Sequence, residues 1–519
     1  MRFLILICLN GFLFNCCFAQ GSSAKQVNRY LKQADFYFES EDYLNALNEY
    51  SKVLAIDKKN ETAVINALIS RMKLNQPVDS LVQYTARLEA SKSPEALFYL
   101  GKVNHQLKSF DVALEYLYKY KAIPERKRSI LNEDVDYVIE NCMNAKKEIA
   151  KPHRSVIKNI GEAINSTYPD YVPVVSPEES VLYFTSRRPG STGDLKDPHG
   201  NYYEDIYVSY KIDGKWSAAV NLGNPTNTHT HDACVALSPD GQRMIVYRTA
   251  PDIVTGDLYV TRLDTSGKWG PLEKYGSEIN SQFIETSACF SNDTSEIYFS
   301  SNRPGGYGGK DIYRIKKLPN GRWGMPFNLG KEINTKHDED DPFLHPDGVT
   351  LFFSSKGHTS IGEYDVFKSE LNTENNVFGY PQNLGYPINS VSNDRFFVLS
   401  GNGKHGYYSS VKEDSKGSSD IYVIDTRFGD NDLIVKHAII YKGDIPGKAK
   451  ITLLDNDSKQ ISGVFTSNAR TGKFILVMNP LKSYKAIVEE EGFATVVLDI
   501  EPPSENEEEK EIVIKLSKK

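Results

Sequence analysis

The stretch that decides the fold is residues 282–335, QFIETSACFSNDTSEIYFSSNRPGGYGGKDIYRIKKLPNGRWGMPFNLGKEINT. Four of its segments, 286–290, 296–300, 311–315 and 323–329, are rich in β-branched and aromatic residues, the composition of short strands. Between them lie Ser-Asn-Asp, Asn-Arg-Pro-Gly-Gly and Pro-Asn-Gly-Arg, clusters that end strands and supply turn dihedrals. The spacing predicts a unit of four short antiparallel strands.

That unit recurs. The aspartate opening Asp311-Ile312-Tyr313 has counterparts at Asp205, Asp257, Asp365 and Asp420, separated successively by 52, 54, 54 and 55 residues. Such a period in strand-forming sequence points to a radial array of small sheets. A four-stranded unit cannot bury both faces alone, so it stacks on its neighbours, and closing the ring protects its edges. Each unit should end on a Trp or Phe, then Asn-Leu-Gly and Ile-Asn, as at Trp323, Asn328-Leu329-Gly330 and Ile333-Asn334. The fifth unit stops after Asp420-Ile421-Tyr422, whereas Asn159-Ile160-Gly161 and Ile164-Asn165 form an ending without a beginning. The early strand is therefore expected to complete the last unit, giving a five-bladed β-propeller over residues 157–428.

On the N-terminal side, residues 27–150 change to a helical period. Tyr30, Ala34, Tyr37, Ala46, Tyr50 and Val53 place small residues against aromatics, and Leu97, Gly101, Ala113, Leu117 and Tyr120 repeat much of this 67 residues later. Residues 435–519 read as short strands again. The expected fold class is multidomain: an all-α tetratricopeptide array, an all-β five-bladed propeller and a small all-β sandwich.

Composition is ordinary for globular protein, with 40% hydrophobic and 25% charged residues, while 31 tyrosines favour sheet. A net charge of −7 argues against a nucleic-acid partner, which calls for a basic face. Residues 1–19 carry one early arginine and then an apolar run too short to span a bilayer, the pattern of a signal peptide and hence of export. The alternative is a lipoprotein acylated at Cys16 or Cys17, for which Asn15 and Cys16 are poor preceding residues. No other stretch is apolar enough to span a membrane. Cys142, Cys234 and Cys289 have neither the number nor the spacing of a disulfide framework or zinc site. His229 and His231 have no third ligand at metal spacing. No metal or other cofactor is expected.

One position carries an acid in every unit: Asp170, Asp232, Glu285, Glu339 and Asp394. In register, all five begin an innermost strand and converge on one mouth of the central channel. They are the candidate ligand or partner residues, for a cation or a basic peptide. The competing role, the favoured one, is structural, each carboxylate capping backbone amides beside it. Tyr30, Tyr37, Tyr50 and Asn104 are the candidates for a peptide-binding helical groove.

The repeated Ser-Pro-Asp-Gly, Ser-x-Arg-x-Gly-Gly, Asp-Ile-Tyr, Asn-Leu-Gly and Ile-Asn elements, with Pro239-Asp240-Gly241, Arg303-Pro304-Gly305-Gly306 and Pro346-Asp347-Gly348, resemble the TolB-type, WD-repeat-like propeller. Unit two departs most, with Thr249–Thr255 in place of the Arg-Gly-Gly turn and Lys274-Tyr275-Gly276 in place of Asn-Leu-Gly; unit one carries an insertion at 191–203. Residues 450–455, 471–474 and 491–493 resemble the carboxypeptidase regulatory-like sandwich. The order of modules is similar to the PorE-type envelope proteins of Bacteroidetes-type secretion (type IX). That resemblance implies a periplasmic adaptor at the outer membrane, with a β-barrel of the PorP type as the expected partner. The chain runs to Lys519 without an OmpA-like module, so peptidoglycan anchoring is not expected. With no Gly-x-Ser-x-Gly elbow, Walker loop or His-Glu-x-x-His motif, the chain is expected not to be an enzyme. A ligand-binding propeller (cation, glycan or peptide) and a hydrolase are the competing classes.

Overall fold

The computed structural model describes residues 23–197, 201–253, 255–372, 374–425, 434–479, 482–501 and 511–519. The expected signal peptide, with Cys16 and Cys17, lies outside the described residues.

Two compact units form rather than three, which corrects the expected fold class. Seven helices occupy residues 23–149, and one large all-β region follows. The sandwich is not a compact unit of its own: it belongs to a unit comprising Lys147–Asp197 and Asn201–Lys519. Side chains join it to the sheets before it. Asn468 Nδ2 donates to the Asp240 carbonyl, and Ile475 Cδ1 occupies the place of the Cβ that Gly401 lacks, 2.2 Å from where that atom would be.

In the helical unit, caps set the starts and small residues set the packing. Asp42 accepts from the Asn45 amide ahead of Tyr43–Ile56, and Asn60 accepts from Ala63 ahead of Glu61–Lys73, satisfying amides that the helix leaves unpaired. Gly101, in Glu95–Gln106, would place a Cβ 2.6 Å from Leu117 Cγ in Phe110–Lys121. Glycine here lets the two helices approach closely. Ala46, Tyr50, Val53 and Ala67 are wholly buried in the core.

The β region begins with five antiparallel sheets in chain order. Sheet I opens with Asp170–Val175, sheet II with Asp232–Leu237, sheet IV with Glu339–Leu344 and sheet V with Asp394–Leu399. In sheet III the first strand is Ala288–Phe290. Each first strand lies against the next, and that of sheet V returns to that of sheet I, closing a ring. Sheet V takes its outer strand from the other end of the sequence: Val156–Asn159 pairs antiparallel with Asp420–Asp425. Two further four-stranded sheets, at residues 434–516, pack over a core containing Ile440, Ile451, Leu453 and Val488.

The repeated motifs have direct physical roles. The asparagine of each Ile-Asn pair, which in sheet I is Thr226-Asn227, turns its carboxamide onto one residue of the third strand, accepting from its N–H and donating to its C=O. Asn227 does this to Ile206, Asn280 to Leu258, Asn334 to Ile312 and Asn389 to Val366. Asn165 does it to Ile421 across 256 residues of sequence. The Asn of Asn-Leu-Gly donates to the Asp that opens the third strand: Asn221 to Asp205, Asn328 to Asp311, Asn383 to Asp365 and Asn159 to Asp420. In sheet II the lysine standing in that position, Lys274, forms an ion pair of 2.6 Å with Asp257. The departure in sequence keeps the contact.

Asn165 closes the ring, so Asn165→Ala should leave the Ile421 N–H buried and unpaired, while its carbonyl keeps the Ile160 amide. One such group costs about 1–3 kcal/mol, and that is the loss expected in urea unfolding. A loss under about 1 kcal/mol would show that the closure does not depend on this clamp.

Candidate functional site

Four of the five acids open a first strand as expected, whereas Glu285 lies three residues before Ala288–Phe290, and all five are pinned within their own sheets. Asp170 accepts from the amide and hydroxyl of Ser166 and from Arg188, at 2.5–2.8 Å. Asp232 is held likewise by Thr228 and Arg248, and Glu285 by Ser281, Ser301 and Arg303. Asp394 takes Ser390 and Ser410, with Lys412 at 3.9 Å. Glu339 takes Thr335 and Ser355 and, among the described residues, no cation. Ser301 and Ser355 stand in register, and two residues on, where sheet III has Arg303, sheet IV has Gly357. His358 bonds the Ile333 carbonyl instead, the counterpart of the Ile279 carbonyl that Arg303 takes. Burial, unopposed by a cation, pushes the Glu339 carboxyl up to about 8.

The structure does not bring these acids together as an open ring. All five are buried, and none belongs to the lining of the cavity that the first strands enclose. Of the groove candidates, Tyr50 is a core residue: it is wholly buried, its hydroxyl donating to Asp35 and accepting from Asn66. Tyr30 and Tyr37 are half-buried, and Asn104 donates to the Leu100 carbonyl.

The cavity, of about 290 Å³, is lined by residues 171–175, 233–237, 286–290, 340–344 and 395–399, the five innermost segments. Its two ends differ. Pro177, Pro239, Pro346, Leu237 and Leu399 form an apolar end, where the first strands turn; Tyr171, Glu204, Lys310, Asp340, Asp341 and Arg395 form a polar one.

On the sheet IV and V side, Arg395 grips Asp341 with two bonds, 2.8 and 2.9 Å, and Asp340 with a third of 2.8 Å. Its guanidinium lies over the rings of Tyr364 and Phe396, 4.2 and 4.6 Å from their centroids. Lys310 Nζ bonds Asp340 and Thr286 at 2.8 and 2.7 Å. Ser287 and Ser300 donate to the other Asp340 oxygen. Burial would raise the Asp340 carboxyl, but Lys310 and Arg395 hold it well below the usual carboxylate range. Burial wins at Asp341 and raises it despite Arg395. Across the cavity, Glu204 accepts from the Tyr171 hydroxyl and faces His231 Nδ1 at 3.4 Å. Burial pushes Glu204 up, but His231, Arg187 and Tyr171 together bring it down to about 2.

The backbone here is strained. Val172, Asp341 and Phe396, equivalent residues of sheets I, IV and V, have φ of 51°, 54° and 58° beside irregularities in strand pairing. Non-glycine residues in this region, a valine above all, are held there by surrounding structure, and such strain gathers at functional sites. Cys234 and Cys289 also line the cavity as free thiols, each pushed up to about 12 by burial. Among the described residues, no three acids, histidines or cysteines group as metal ligands would.

No family model and no curated protein matches the chain. Solved structures do. A TolB-type protein from Agrobacterium tumefaciens is 17% identical over 52% of this chain and 97% of its own, with a TM-score of 0.28. An α-L-arabinanase from Penicillium chrysogenum, complexed with arabinobiose, is 11% identical over 53% and 99%, at 0.33. An α-L-arabinofuranosidase from Lactobacillus brevis is 12% identical over 58% and 95%, at 0.34. The neighbours thus include a TolB-like β-propeller-type fold, and at such identities and TM-scores they carry no argument about what this chain does. The expectation that the chain is not an enzyme is withdrawn: several of these neighbours are enzymes, so the fold gives no ground for excluding catalysis.

The repeat pointed to the acids and missed the cavity. A signal was present: the residue after each acid reads Tyr171, Ala233, Thr286, Asp340 and Arg395. In a column that should face a channel, a Tyr, an Asp and an Arg are the conspicuous members.

Glu339 gives a pH test. Its proton is bound more tightly in the folded state, so it favours folding below about pH 4.5, and that contribution is lost as pH rises to about 8. Relative to wild type, Glu339→Gln should gain stability steadily between pH 5 and pH 8 in urea midpoints. A difference constant with pH would overturn the assignment.

Proposed function

We propose that the protein is an exported cell-envelope protein that binds a small molecule in the central cavity of its β unit. The observation that carries this reading is the cavity itself. Inner segments of all five sheets line it, it is apolar at one end, and its other end holds fixed charges of both signs. Ligand sites are characteristically apolar concavities with a few placed polar groups, and about 290 Å³ suits a small metabolite. Ala236→Phe should fill the apolar shaft. Thermal-shift screening of amino acids, sugars, nucleosides and carboxylates should give a ligand that raises the midpoint of wild type and not that of the variant. A screen in which nothing stabilises the wild type would refute the reading.

A second reading is a scaffold or adaptor at the periplasmic face of the outer membrane, in the manner of PorE-type proteins of type IX secretion and with a barrel partner of the PorP type. The tetratricopeptide character proposed for the helical unit supports it, as do the large apolar side chains that this unit leaves in water. Phe36, Leu131 and Met143 are 65%, 62% and 54% exposed. Crosslinked pull-down from the native envelope should recover a barrel or secretion component with the full chain and lose it when residues 27–150 are removed. Recovery of the bait alone would sink this reading.

A further inference from the structure

The polar end of the cavity divides into a donor wall and an acceptor wall. On the donor wall Asp340 is saturated, and both oxygens of Asp341 are engaged. Asp340 accepts from Lys310, Arg395, Ser287, Ser300 and the Asp341 amide, and Asp341 holds Arg395 through both oxygens. The cations are not saturated. An ammonium has three N–H groups and a guanidinium five. Lys310 Nζ spends two, and Arg395 bonds only through Nε and Nη2 among the described residues. Their side chains are 22% and 26% exposed, open to a molecule in the cavity. What this wall offers is N–H.

The acceptor wall is Glu204, 21% exposed, with one oxygen on Tyr171 and the other only 3.4 Å from His231. A carboxylate has about four lone-pair sites, so capacity remains. The ring fixes where these walls stand. Glu204 and Lys310 both precede the Asp that opens a third strand, and each gives its carbonyl to the acid starting the next sheet: Glu204 to Asp232 and Lys310 to Glu339. Glu204 therefore sits between sheets I and II, and Lys310 between sheets III and IV, two junctions apart in a ring of five. The intervening equivalent is Gly256, whose missing Cβ leaves its place to the Tyr247 phenol, and Tyr247 and Ala233 line the cavity on that side, so a molecule reaching from one wall to the other passes Tyr247. Beyond them the shaft narrows onto Val174, Ala236, Cys289, Phe343 and Val398.

We infer that the cavity takes a small zwitterion with an apolar side chain, an α-amino acid or a dipeptide. Its carboxylate sits on Lys310 and Arg395, its ammonium on Glu204, and its side chain in the shaft. This rests on the cavity being a binding site and adds the class of ligand. A net anion would gain little, because Lys310 and Arg395 are already balanced by Asp340 and Asp341. A neutral polyol would leave the charges facing it without counter-charge.

Calorimetric titration of the full chain with L-leucine, L-leucyl-L-leucine, N-acetyl-L-leucine, L-leucinamide and D-glucose tests the inference. At least one of the first two should bind, and the stronger identifies amino acid or dipeptide as the source. For the amino acid, each capped analogue should bind at least about tenfold more weakly, the worth of a hydrogen bond to a charged group. Lys310→Gln should weaken the zwitterion and leave L-leucinamide unchanged, with Lys310→Arg restoring binding; Glu204→Gln should weaken it and leave N-acetyl-L-leucine unchanged. Glucose binding without either zwitterion, or capped and free forms binding equally, would overturn the ligand class while the cavity stands as a site. If none of the five binds, the class falls, and the cavity reading falls with it only if the wider screen is also empty.

Discussion

The β unit depends on one hydrogen-bonded device made five times: an asparagine carboxamide closing on both backbone polar groups of a single residue in a third strand. It operates in the dry interior, where Asn227 and Asn389 are wholly buried and where an unpaired amide or carbonyl is costly. A carboxamide alone among small side chains offers a donor and an acceptor in one plane, which is why the position is asparagine in every unit. The clamp ties the connection after the third strand to the strand itself. It thereby fixes where the next sheet begins. Made by Asn165 on Ile421, the same bond joins the two ends of the array.

Because that device is local and repeated, much of the β unit could be read from sequence. The period of Asp205, Asp257, Asp311, Asp365 and Asp420 marks the third strands, and the displaced Asn159 and Asn165 mark the strand that pairs with Asp420–Asp425. The division of the chain was less legible. Residues 434–516 form two sheets with their own apolar core, which in sequence resembles a separate module. What attaches them is Asn468 on the Asp240 carbonyl and Ile475 against Gly401, contacts between single residues that leave no periodic trace. The groove candidates failed at Tyr50 for a related reason. An aromatic at helical spacing fits a groove or a core equally well, and only the fold assigns its face.

The site was hidden by the regularity that revealed the fold. An acid at the same place in every unit draws the eye, yet constancy around a ring is what a structural cap requires, since every connection needs the same amides satisfied. The four acids with a cation beside them, and Glu339 without one, show how far this holds: the Gly357 departure changes the charge balance at one position and leaves the connection built. A ligand, by contrast, has no fivefold symmetry. A channel that binds one must differ from sheet to sheet.

The strained residues mark where that difference lies. Val172, Asp341 and Phe396 adopt left-handed backbone in sheets I, IV and V, and the residues just before them are Tyr171, Asp340 and Arg395. In sheets II and III the equivalents are Ala233-Cys234 and Thr286-Ser287, and no such φ occurs there among the described residues. An irregular strand start re-aims the side chain beside it. Here the three re-aimed residues are the large polar ones, and the two unstrained starts carry small ones. Sheets II and III begin without left-handed backbone, sheet II with a shift of register between Cys234 and Ala236 and sheet III with a first strand that starts only at Ala288. The left-handed residues thus coincide with the large polar members of the cavity wall, from sheet IV through sheet V to sheet I.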